Sequence, residues 1–537
     1  MRLIHIAVCD MVNGELARTD AKRNSDATPH ALLLCYPVQS HIRPFMELAK
    51  HLTGQSVQVT FATMQHAHRK LVDNWERTPA SFSDHHLFQL RSIPDGLPSH
   101  IDRQTLSHEQ IQHIMDTSLQ VGALELIQTM ASEGCEVTCV VGDFHMPWTS
   151  WLAERAQVPE WVFWTQNASV FSIFLHADVI SSSGIDLYTN NVMSNVAEQM
   201  ITCVPGLPID IPSSCLPFRC PQSSFATESL RKMMRQRLGF LRRAEGLICN
   251  SFDMLEQKVL LSLSSEAVGM DDDRLCVRSR PRSLLLVGPL AAIPASDEKK
   301  NFLEETKSSL RHEETQECKE WLDKQQNGSV LYAAFGSITV IQESQLKELV
   351  MGLAASGHRF LLALREDIVI SVSSSLESRS QKPSSRPIAL EQFLQKPDCH
   401  GVSSDICKVV RWSPQAQVLA HPAVGGFLSH CGWNSILESI CAGIPVLGWP
   451  NFFDQFTNCW LVTDVWKMGI ALRRHADGGE TTRAEVADGV KQLMDGPLSA
   501  SLRARARELK AVACAAAHKS HGISALVEAM RRNLKTK

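Results

Sequence analysis

WSPQAQVLAHPAVGGFLSHCGWNSILESICAGIPVLGWPNFFDQ, residues 412–455, is the stretch on which the reading of this chain turns. Val409 and Val410 close an apolar run just before it, and residues 415–420 make a short helical turn. Residues 425–428 read as a strand, 429–433 as a loop, and a helix opens near Asn434 and Ser435. Residues 445–449 are a further strand, and another helix begins near Gln455. Strands alternating with helices in this way build a parallel sheet, whose ligands sit beyond the carboxyl ends of the strands.

That placement carries chemistry. A helix N-terminus offers unpaired N–H groups and a positive partial charge, so a phosphate is a natural guest. Asn434 and Ser435 add side-chain donors there, His430 supplies another, and Gly432 lets the backbone approach the anion closely. Trp412 offers a flat face for a base, Glu438 can accept from ribose hydroxyls, and Asp454 and Gln455 can read a sugar. Taken singly these residues are ordinary: an N-cap, a core tryptophan, a solvated acid–amide pair. Together they read as a site for a nucleotide diphosphate carrying a sugar.

The 44 residues resemble the signature box of plant family 1 UDP-glycosyltransferases, which opens with Trp and closes with Gln. The match runs without a gap through Pro414-Gln415, His421, His430-Cys431-Gly432-Trp433-Asn434-Ser435, Glu438, Gly443, Pro450 and Asp454-Gln455. The resemblance implies an α/β GT-B fold, two facing Rossmann-like domains with parallel sheets. By the same resemblance Trp412 stacks on uracil, Gln415 lies against the nucleoside, and Glu438 binds the ribose. His430, Asn434 and Ser435 then hold the phosphates, and Trp433, Asp454 and Gln455 the sugar. A terminal Gln in this family usually goes with glucose, so UDP-glucose is the expected donor.

Working outward, residues 31–36 are an apolar run, hence a buried strand, followed by a turn and an amphipathic helix over 41–52. His41 stands at that junction. Pro37-Val38-Gln39-Ser40-His41-Ile42-Arg43-Pro44 is similar to the family's first strand–loop–helix, whose His is the catalytic base. Ser40 stands where the family usually has Gly, and Arg43 where it often has Asn; Ala363 replaces a polar residue of some relatives. Residues 137–141 form another buried strand that ends near Asp143. The resemblance makes Asp143 the partner of His41, a carboxylate that fixes the imidazole tautomer. It also places Thr165 near the donor sugar and acceptor, and Ser337 against a phosphate.

At 537 residues the chain has room for two sizeable domains. The expected divisions are a flexible extension over 1–28, an acceptor domain over 29–290 and a linker over 291–317. A UDP-sugar domain over 318–510 and a helix over 511–537 packing back on the first domain complete the chain. A net charge of −4 gives no electrostatic reason to expect nucleic acid. No run reaches the roughly 18 apolar residues of a membrane span. Sixteen cysteines without a CxxC pair read as reduced thiols in a cytoplasmic chain. Residues 371–385 hold eight serines and read as a polar loop. No Asp-x-Asp motif accompanies the box, so neither metal nor cofactor is expected, and the partners are UDP-glucose and a small aglycone such as a flavonoid, met by a monomer. Two other readings fit the box: a UDP-sugar-binding protein without transfer, or a GT-B enzyme acting on the UDP-sugar alone. His41 and an apolar acceptor domain argue against the second; the changes at Ser40, Arg43 and Ala363 leave the first open.

Overall fold

The computed structural model describes residues 28–75, 86–98, 101, 108–185, 187, 198–217, 227–241, 243–264, 282–290, 309–337, 339–365, 368–371, 386–387, 406–473, 479–519 and 521–535. The expected extension lies outside these residues except for Thr28, as do residues 291–308 of the expected linker and 372–385 of the serine-rich loop.

Two parallel sheets organise the chain. The first contains β1 (His30–Leu34), β2 (Gln58–Met64), β3 (Phe88–Ile93), β4 (Cys139–Asp143), β5 (Glu160–Trp164), β6 (Gly246–Cys249) and β7 (Leu284–Leu286), in the spatial order β3-β2-β1-β4-β5-β6-β7. The second contains β8 (Val330–Ala334), β9 (Arg359–Ala363), β10 (Cys407–Val410), β11 (Val424–Ser429), β12 (Val446–Gly448) and β13 (Gly469–Ala471), ordered β10-β9-β8-β11-β12-β13. The central strands are continuous apolar runs, HALLL in β1 and VLYAA in β8, and every residue of both is buried. Helices cover both faces of such a sheet, so both side-chain directions must be apolar.

Each sheet reverses its winding once, and these two switch points set where ligands go. In the first sheet the reversal falls between β1 and β4, paired in parallel with Leu34 opposite Gly142. In the second it falls between β8 and β11, with Ala334 opposite Ser429. The helix that follows β1 carries His41 and β4 ends on Asp143; the loops leaving β8 and β11 carry Ser337 and His430.

Five helices complete the description needed here: α1 (Gln39–Gly54), α2 (Ser309–Leu322), α3 (Trp433–Ala442), α4 (Gln455–Trp460) and α5 (His521–Lys535). α2 corrects the expected linker, since residues 309–317 are already helical. Thr315, Cys318 and Leu322, three and four residues apart, are fully buried. The stripe is narrow, and the charges around it hide its period. α4, the helix expected near Gln455, gives way after Trp460 to a wider π turn over Leu461–Val465. α5 leaves the second domain and packs on the first. Its Ile523, Leu526, Val527 and Met530 join a core with Phe45, Leu48 and Leu52 of α1. Each such side chain contributes about 1.5–3 kcal/mol on burial. No helix among the described residues is long and apolar enough to cross a membrane.

Candidate active site

α1 begins directly after β1, so His41 lies in its first turn, buried. β4 ends on Asp143, which is buried beside it. Asp143 accepts four hydrogen bonds. Oδ2 takes Nδ1 of His41 at 2.8 Å and the amide of Tyr36 at 3.2 Å; Oδ1 takes the amide of His145 at 2.9 Å and its Nδ1 at 3.3 Å. Burial alone would raise the pKa of Asp143. The charge of a protonated His41 and the bonds from both imidazoles reverse that and hold the carboxyl well below the usual range.

An ionised carboxylate has no proton to give. Both imidazoles must therefore carry their proton on Nδ1. In the neutral ring of His41 that puts the free lone pair on Nε2, the tautomer a general base needs. His145 was not found in the sequence, although it stands only two residues after Asp143. Burial and the charge of Arg237 push its pKa down to about 3, so it sits neutral against the dyad. Its ring meets that of His41 edge-on with centroids 4.8 Å apart and lies parallel to Trp164 at 6.4 Å. Thr165, at the end of β5, approaches Nδ1 of His41 to 3.4 Å. Among the described residues His41, Asp143 and His145 are the one group with the spacing of metal ligands, their donor atoms within 4.8 Å of one another. The hydrogen bonds to Asp143 already account for that closeness.

The residues expected to read the nucleotide gather around α3. Its N-cap is Gly432, which has no side chain to occupy the first amides, and it ends on Gly443 in the left-handed conformation at φ +74°. Gln415 is the hub of the nucleoside end. Its Nε2 donates to Oγ of Ser435 at 2.8 Å and to Oε2 of Glu438 at 2.6 Å, while its Oε1 accepts from the hydroxyl of Tyr332 at 3.3 Å. Trp412 stands half-buried just past β10.

His430 is wedged between two glycines. A Cβ at Gly336 or at Gly432 would stand 2.4 Å from its Nε2, so neither position tolerates a side chain. Burial and the charge of Arg365 lower its pKa to about 4, so it serves as a neutral group. Arg365 itself donates to the carbonyls of Gly336 and Thr339 and so holds the loop that exposes Ser337. At the sugar end, Oδ2 of Asp454 accepts from Asn458 at 2.7 Å. Burial pushes the Asp454 carboxyl up to about 6. Oε1 of Gln455 accepts from the amides of Asn451 and Phe452, which leaves its Nε2 for a ligand.

Trp433 opens α3, and its indole is buried with Nε1 donating to the carbonyl of Asn250 in the first domain at 2.8 Å. Its side chain thus makes a contact between the domains, which the sequence reading did not include. Seven of the other expected residues fall into two groups. His41, Asp143 and Thr165 make one; Gln415, Ser435 and Glu438, with Asn434 on the same helix, make the other. The two meet where Asn434 donates from Nδ2 to the carbonyl of Ser40 at 2.8 Å and Arg43 pairs with Glu438. Asp454 also feels the charge of His41. Arg237 and Arg365 escaped sequence reasoning because each acts on residues far from it in the chain; Asn458, one turn from Asp454, escaped it too.

Comparison with known proteins shows which chains this one is similar to. The family model "UDP-glucoronosyl and UDP-glucosyl transferase" matches residues 295–501. UDP-glycosyltransferase 85A2 of Arabidopsis thaliana is 32% identical over 510 residues, 93% of this chain and 95% of that protein. A 7-deoxyloganetin glucosyltransferase of Gardenia jasminoides is 33% identical over 504 residues, 92% of this chain and 95% of that one. The crystal structure of Os79 from O. sativa in complex with UDP superposes with a TM-score of 0.71 at 22% identity, over 93% of this chain and 100% of the other, and shares the GT-B fold. A buried acid–imidazole pair facing an uncapped helix entrance, on a chain this similar along nearly its whole length, makes this protein a member of the plant UDP-glycosyltransferases, enzymes that move a sugar from a UDP-sugar to a small acceptor.

Proposed function

We propose that the enzyme transfers glucose from UDP-glucose to a hydroxyl of a small lipophilic acceptor, with inversion and without a metal ion. Nε2 of His41 takes the proton of the acceptor hydroxyl as its oxygen attacks the anomeric carbon. The bond from that carbon to the diphosphate oxygen breaks on the opposite face, and UDP departs. Negative charge growing on the diphosphate is met by the amides that open α3, with His430, Asn434, Ser435 and Ser337 as further donors. Gln415 and Glu438 hold the nucleoside against Trp412; Asp454 and Gln455 read the sugar hydroxyls.

The observation that carries this reading is the forced tautomer of His41. A carboxylate that accepts from Nδ1 fixes the neutral imidazole in the tautomer whose outer nitrogen can take a proton, and the helix that carries it meets α3. Phe144 and Trp164 pack against His145, with Phe171 and Phe174 packed against them in turn, which suits an apolar acceptor beside the base. Flavonoids and other phenolics are the first acceptors to try, with 7-deoxyloganetin beside them because a relative bears that name. Incubating the purified enzyme with UDP-glucose and a mixed aglycone panel should add one hexose mass to at least one aglycone, unchanged by chelator. Hydrolysis or epimerisation of UDP-glucose with no aglycone modified would contradict the proposal.

A further inference from the structure

α1 and α3 meet face to face at the donor site, through residues that match in helical spacing. Asn434 and Glu438 are four residues apart and share one face of α3; Ser40 and Arg43 are three apart and share one face of α1. Glu438 has a buried side chain whose carboxylate is shared, with Oε1 taken by Nη1 of Arg43 and Oε2 by Gln415. The second contact has a covalent origin. Pro44 lies inside α1 and has no N–H, so the carbonyl of Ser40, which would ordinarily accept from residue 44, has no partner within the helix. Nδ2 of Asn434 donates to that carbonyl at 2.8 Å.

The first turn of α1 thus holds both an amide and a carboxylate of the helix that reads the nucleotide. The two contacts differ in what a ligand must do. The amide of Asn434 has a second proton, so it can keep Ser40 and still donate to a phosphate. Glu438 has a guanidinium at one oxygen and an amide at the other, so ribose hydroxyls compete with Arg43 for it. Resting on the ribose role given to Glu438 above, we propose that Arg43 is a latch on the donor site that sets donor affinity. It closes the first domain onto α3 by occupying the ribose-binding carboxylate, and the nucleotide displaces it on entry.

Arg43 is then an affinity-setting residue that acts through Glu438, and removing it should tighten nucleotide binding. The test is calorimetric titration of UDP into the full-length enzyme, its Arg43→Met and Arg43→Lys variants and Glu438→Gln. Part of the Arg43 side chain is exposed, so the pair is partly screened and the effect is modest. Arg43→Met should lower the Kd for UDP roughly three- to tenfold. Arg43→Lys should stay near the parent, and the KM for UDP-glucose should move in step with Kd while kcat does not rise with it. Weaker binding in Arg43→Met, meaning that the guanidinium itself contacts the nucleotide, would overturn the latch, and so would unchanged binding. Glu438→Gln separates the underlying reading. If it leaves UDP affinity intact, Glu438 is no ribose ligand and the latch falls with that role. If none of the proteins binds UDP, the donor site itself is misplaced.

Discussion

Asp143 and Asp454 are both carboxylates near His41, and their surroundings drive them apart. Asp143 is surrounded by donors and stays ionised; Asp454, with fewer partners to offset its desolvation, is raised from the ordinary 3.8 to about 6. The sign follows directly. Below pH 6 Asp454 carries a proton in the free enzyme, and above it the carboxylate is available to accept from sugar hydroxyls. Donor use, followed as kcat/KM for UDP-glucose, should therefore fall as pH drops through about 6. Asp454→Asn should lose that part of the profile while lowering the rate at neutral pH. An acid limb identical in Asp454→Asn would show that Asp454 does not report on the donor.

α5 shows how one residue seats an element. Gly522 lies so close to β7 that a Cβ there would stand 1.5 Å from the carbonyl of Leu286. Gly522→Ala should lift the start of α5 off the first domain and lower the apparent Tm by several degrees, since the apolar stripe of α5 adds stability only while seated. A thermal-shift assay with an unchanged midpoint would show that α5 tolerates displacement. The alternation of strands and helices was legible in the sequence because continuous apolar runs such as HALLL have few alternatives in a parallel sheet. The box residues were legible by position, as the clustering of Gln415, Ser435 and Glu438 shows. Direction was not: a tryptophan at the start of a helix can face ligand or neighbour, and the partner of Trp433, Asn250, is 183 residues away. Arg237 next to the dyad and Arg365 beneath the phosphate loop were illegible for the same reason. α2 was hidden by charge, its buried stripe being only one residue wide per turn.

Across the whole molecule the two sheets are joined by specific bonds as well as packing. Asn167 reaches Asn458, which also donates to Asp454 and to the carbonyl of Cys431. Thr457 donates to the carbonyl of Cys215 at 2.7 Å, Trp466 to that of Leu255 at 3.3 Å, and Arg531 of α5 to that of Gln55 at 3.0 Å. These ties hold the base of one domain opposite the helix entrance of the other. Binding and chemistry are thus assigned to different domains, and one substitution separates them. His41→Ala should bind UDP as the parent does, because no group assigned to the nucleotide is touched. Its rate of sugar transfer should fall by about 10²–10⁴-fold, the usual worth of a general base. The most direct measurement sets the two side by side on the same preparation: the Kd for UDP by titration and the rate of glycoside formation by mass. Retained affinity with lost transfer is the predicted result; transfer that survives His41→Ala, with binding intact, would contradict the assignment of the base.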